Sequence, residues 1–111
     1  MAVAPLNKFL TIAIPVAPGE QTIYTAPTGY TGIILYAHVT NYGSATTTVT
    51  MSHVRSGTTN ELINEANVPV NDAYVPLDGK LVLETSDYIV AEAGANTTLK
   101  VIVSVLETAN A

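Results

Sequence analysis

Few residues in this chain could do chemistry. There are two histidines, His38 and His53, and nine carboxylates. There is no cysteine, which excludes a thiol nucleophile, a thiolate metal ligand and a disulfide together. A Ser or Thr nucleophile needs a poised base, and the base needs an acid to orient it. No Asp or Glu stands at a spacing that marks it as the partner of either histidine, and no Gly-x-Ser-x-Gly turn occurs. Two imidazoles could begin a metal site, but further ligands at a diagnostic spacing are missing. Glu61, Glu65, Asp72, Asp78, Glu84, Asp87 and Glu92 are strung out along the chain and do not form the dense ladder of a calcium loop. Solvated turn carboxylates are the plainer reading, with a calcium ion between loops as the alternative. The run Thr25-Ala26-Pro27-Thr28-Gly29-Tyr30 has turn residues but no Lys and no helix to follow, so it cradles no phosphate. Asn96-Thr97-Thr98 fits the N-glycosylation pattern, which matters only in a eukaryotic secretory route. The expectation is a protein that is not an enzyme, with no catalytic residues, no metal and no cofactor.

The composition points the same way. Charged residues make up 12% of the 111, against about 25% in ordinary soluble domains. Their place is taken by Thr, Ala, Asn, Val and Tyr, which does not describe a disordered segment. A free monomer keeps a well-charged exterior; a subunit packed among neighbours does not need one. Net charge is −5, and the four basic residues, Lys8, Arg55, Lys80 and Lys100, are scattered, so no nucleic-acid-binding stripe exists. No apolar run reaches the roughly 20 residues of a membrane helix. Phe9 to Ala17 has the look of a signal-peptide core, but Pro15 interrupts it, and a first strand is the better reading.

Helix periodicity is nearly absent, and Val, Ile, Thr and Tyr fill short stretches punctuated by Gly, Pro, Asn and Asp. Strands are expected near 8–16, 20–25, 31–41, 45–54, 60–65, 68–75, 80–84, 87–93 and 97–107. Asn41-Tyr42-Gly43-Ser44 is expected to join 31–41 to 45–54 as a hairpin, which would bring His38 and His53 near one another. Asp78-Gly79 is expected to be a tight turn between Val75-Pro76-Leu77 and Lys80 to Glu84. The fold class that follows is all-β: a single antiparallel β-sandwich of about eight strands, with a jelly roll among its forms. Residues 1–19 form an N-terminal strand or arm, 20–108 the sandwich and 109–111 a C-terminal tail.

Successive side chains in a strand face opposite ways. On that rule Ile33, Leu35, Ala37 and Val39 form a core face, and Ile34, Tyr36, His38 and Thr40 an outer one. In the last strand Leu99, Val101, Val103 and Val105 face the core, with Lys100, Ile102, Ser104 and Leu106 outside. Large apolar residues on an outer face mark a contact surface when they are contiguous. The interface candidates are therefore Ile34, Tyr36, Ile102 and Leu106, with Phe9 in the N-terminal arm. Six tyrosines without a tryptophan could alternatively form a sugar-stacking platform, but tyrosines spread over many strands fit protein interfaces better.

The run from Tyr24 to Ile33, read as Tyr-Thr-x-Pro-x-Gly-x-Thr, resembles small β-rich structural proteins of tailed phages. Leu77 to Glu84, then Asp87, then Val101 to Glu107 are similar to the closing half of the same group, so the likeness spans about residues 21–108. It implies a bacteriophage virion component, and the absence of a stalk or repeat favours a capsid decoration or cement protein. Its partners would be the major capsid protein or other virion proteins and its own copies, with a trimer favoured, and neither nucleic acid nor membrane. A neck, tail or fibre component and a carbohydrate-binding host-adhesion module are the alternatives.

Overall fold

The computed structural model describes residues 7–77, 79–94 and 98–110. Asp78, Ala95, Asn96, Thr97, the first six residues and Ala111 lie outside that set, so the expected Asp78-Gly79 turn and the glycosylation triplet are not fully within it. The described chain is strand and connection, with no helix. Nine strands run in order: β1 (Asn7–Val16), β2 (Gln21–Thr25), β3 (Tyr30–Asn41), β4 (Thr47–Arg55), β5 (Thr58–Val68), β6 (Ala73–Tyr74), β7 (Leu81–Leu83), β8 (Tyr88–Ala93) and β9 (Leu99–Ala109).

They form two antiparallel sheets packed face to face. The first has the order β1-β9-β3, with β6 and β7 sharing the far edge of β3; the second has the order β2-β8-β4-β5. Counting β6 and β7 as one interrupted strand gives two four-stranded sheets whose chain repeatedly crosses between them, which is the jelly-roll arrangement. Between the sheets, Val16, Ile34, Val39, Val49, Met51, Val68, Leu83, Ile89, Leu99, Val101, Val103 and Val105 are fully buried. The alternation read for the last strand holds: Leu99, Val101, Val103 and Val105 face inward.

Two expectations are corrected. First, β3 and β4 are not a hairpin but belong to different sheets. The turn residues are there, yet Asn41 is buried and uses them to turn a corner: its Nδ2 donates to the carbonyls of Ala45 and Val68, and its Oδ1 accepts from the Gly43 N–H. Among the described residues the hairpin closed by a two-residue turn is β4–β5, where Ser56 and Gly57 both have positive φ, the signature of a type I′ turn. Second, the bounds of 60–65 and 68–75 shift: β5 runs from Thr58 to Val68, with two register shifts against β4 and Glu65 at φ 50°, and within 69–75 only Ala73 and Tyr74 form a strand, β6. β6 and β7 both pair antiparallel to β3, with the ladder along that edge interrupted between Tyr74 and Leu81; Pro76 has no N–H to give a ladder there.

Candidate protein interface

Two bulges decide which side chains reach which surface. In β3, Ile34 pairs with Val105 and Tyr36 with Ser104, so Leu35 is an extra residue. An extra residue reverses the alternation on one side of it. From Tyr36 onward the faces are as expected, with Tyr36, His38 and Thr40 outside. Before the bulge they are exchanged. Ile34, a candidate contact residue, is therefore fully buried in the core, and Ile33 takes its place outside. In β2 the extra residue is Ile23, and the bulge turns Tyr24 inward beside it.

With that correction, the outer face of the first sheet has a definite pattern. Cross-strand partners set Phe9 beside Leu106, Leu106 beside Ile33, and Ile33 beside Val82, an apolar row across all four strands. Phe9 is 73% exposed and Val82 51%, while Leu106 and Ile33 are half-buried between them. Tyr36 lies on the same face, 46% exposed, its ring stacked on His38 at 5.9 Å between centroids. Ile102 pairs with His38 on one side and Ala13 on the other. Four of the five sequence candidates, Phe9, Tyr36, Ile102 and Leu106, thus share one face. At its far end Lys100 lies over the Tyr42 ring, 5.5 Å from its centroid.

The outer face of the second sheet is its chemical opposite. Thr48, Thr50 and Ser52 of β4 line a trough of about 510 Å³ with Glu20, Glu61 and Glu92. None of the described tyrosines lines it. The tyrosines are spread over both sheets and a connection: Tyr24 is buried, Tyr36 lies on the first sheet's outer face, Tyr42 follows β3 and Tyr88 lies in β8 of the second sheet.

The two histidines are separated by the two-sheet arrangement. His38 faces outward and accepts or donates at Nδ1 with Thr40 Oγ1, 3.2 Å away. His53, on the other sheet, meets a carboxylate that sequence spacing did not reveal: its Nε2 lies 3.1 Å from Asp87 Oδ2. The same oxygen accepts from Arg55 Nε at 2.9 Å, Arg55 Nη2 at 2.7 Å and the Glu84 N–H at 3.0 Å. The Arg55 guanidinium hydrogen-bonding Asp87, helped by His53 and the Glu84 amide, holds the buried carboxyl down at about 2 against the cost of desolvation. Arg55 also reaches Glu84 at 3.0 Å. This is a knot that fastens the turn before β8 to β4, with the carboxylate oxygen fully engaged. Among the described residues, no group of three or more His, Asp or Glu is arranged to hold a metal ion.

A second polar contact ties the sheets together. Tyr24 OH donates to Glu107 Oε2 at 2.7 Å, and both residues are buried. Burial and the adjacent carboxylate push the Tyr24 hydroxyl well above its usual range. The ring passes so close to Gly32, the cross-strand partner of Glu107, that a Cβ there would sit 2.7 Å from it.

No family model and no curated protein matches this chain. Solved structures share the fold, among them the following two. One comes from the acid-stable capsid of the Helicobacter pylori bacteriophage KHP30, with a TM-score of 0.57 and 15% identity over 96% of this chain and 90% of that one. The other comes from Bacillus endospore appendages, a family of disulfide-linked pili, with a TM-score of 0.58 and 9% identity over 100% and 98% of the two chains. The present chain has no cysteine with which to make such a link.

Proposed function

We propose that the protein is a non-enzymatic structural subunit of a phage virion, a decoration or cement protein that docks through the outer face of its first sheet onto major capsid subunits. The observation that carries this reading is the apolar row Phe9–Leu106–Ile33–Val82, continued by Tyr36 and Ile102, on a chain otherwise poor in charge. A contiguous apolar face of this kind is kept by surfaces that are covered in use. Binding energy would come from apolar burial, at about 25 cal/mol per Å² removed from water. The capsid structure and the pilus structure that share the fold support an assembling role, and the phage capsid supports the virion in particular.

The test is co-sedimentation of the purified protein with capsids that lack it. Ile102→Asp places a charge in the middle of the face without touching the core. Its binding should fall at least tenfold while its thermal melting stays near that of the parent chain. Undiminished binding by a folded Ile102→Asp protein would mean that the docking surface lies elsewhere.

A further inference from the structure

Four edges bound the two sheets, and three are blunted. β5 carries two register shifts, β2 is five residues long with a bulge, and the β6/β7 edge is interrupted between Tyr74 and Leu81. Such irregularities discourage pairing with another chain. The fourth edge, β1, has none of them. It pairs with β9 in unbroken register over ten residues and, among the described residues, has no strand on its other side.

A second observation concerns burial. Leu10, Ile12, Ile14 and Val16 all point toward the core, yet only Val16 is fully buried. The other three pack against the core and stay half-exposed, because the opposing edge strand, β2, has five residues against ten in β1. The open edge thus leaves inward-facing aliphatic groups partly wet as well as backbone groups unpaired. A third observation comes from Pro15. A strand accepts proline where its nitrogen faces away from the ladder. That places Pro15, and with it Ala13, Thr11 and Phe9 at alternate positions, with backbone groups turned to the open side.

We propose that β1 is a docking edge to which a second copy of this chain adds its own β1, antiparallel, so that two four-stranded sheets become one about a two-fold axis. An isologous contact of this kind is self-complementary. A two-fold through Thr11, the middle of the edge, sets Leu10 of each copy beside Ile12 of the other and covers the half-wet aliphatic groups. It also carries the two Lys8 side chains, the strand's only charges, to opposite ends. A parallel, in-register pair would set them abreast. The inference goes beyond the capsid reading and is read on the purified full chain, so its failure and the failure of capsid docking are separate results.

The chain's lack of cysteine makes the test clean. Thr11→Cys should form a disulfide-linked dimer on mild oxidation, since hydrogen-bonded antiparallel partners have Cα atoms about 5.5 Å apart, within disulfide reach. Thr59→Cys on the blunted β5 edge should not. Light scattering after size-exclusion chromatography should show a concentration-dependent dimer, and Ala13→Pro should weaken it at least tenfold while keeping the melting transition. A wild-type chain that stays monomeric at all concentrations would overturn the proposal. So would a dimer that Ala13→Pro leaves intact, or equal cross-linking from the two cysteine positions.

Discussion

At the scale of single residues, the buried charge at Asp87 makes a directional prediction about acid. Its carboxyl titrates near 2 in the folded chain, below the ordinary value of about 3.9. A folded value below the unfolded one means stabilisation that is complete above pH about 4 and is lost as pH falls through 2. Asp87→Asn should therefore lower stability at neutral pH by about 2 kcal/mol and flatten the decline between pH 4 and 2. Urea denaturation at a series of pH values reads both. Tyr24→Phe leaves Glu107 without its donor and should cost about 1–3 kcal/mol. Gly32→Ala forces a methyl against the Tyr24 ring and should cost a similar amount. A Tyr24→Phe/Gly32→Ala cycle should be non-additive, because both changes act on one contact. None of these contacts was legible in the sequence. His53 and Asp87 are 34 positions apart, Tyr24 and Glu107 83 apart, and no local spacing encodes either pairing.

At the scale of elements, the strands themselves were largely readable, because strand periodicity and turn chemistry act locally. Partnership was not. Asn41-Tyr42-Gly43-Ser44 has hairpin composition, but the same residue types serve a corner when the Asn side chain is buried and bonds to Val68 across it. The bulge at Leu35 was equally hidden. It occurs at a leucine, with no Gly or Asn to announce it, and it exchanged Ile34 for Ile33 on the outer face. Alternation was sound in β3 after the bulge and along β9, which is why Tyr36, Ile102 and Leu106 were placed on the face they occupy. The β4–β5 turn offers a prediction of its own. A type I′ turn favours Asn over Ser at its first central position, so Ser56→Asn should stabilise the chain by a few tenths of a kcal/mol. The check is an upward shift in the denaturant midpoint with an unchanged m-value.

At the scale of the whole molecule, the two outer surfaces divide the chemistry: apolar rows and the Lys100–Tyr42 stack on one, threonines and carboxylates on the other. The low overall charge seen in the composition thus goes with an apolar row on one face, the face through which docking is proposed. The strand order has a further consequence, in time. β1 pairs with β9, the last strand of the chain, and β2 with β8. On a ribosome β1 therefore emerges with no β9 ladder to join, and waits until the residues of β9, about 90 positions later, have been made. Because distant segments must meet before any sheet closes, refolding should take milliseconds to seconds, measurable by stopped-flow dilution from urea. Throughout that interval the apolar β1 is a strand without a home, and truncation of β9 should make it permanently so, yielding insoluble protein.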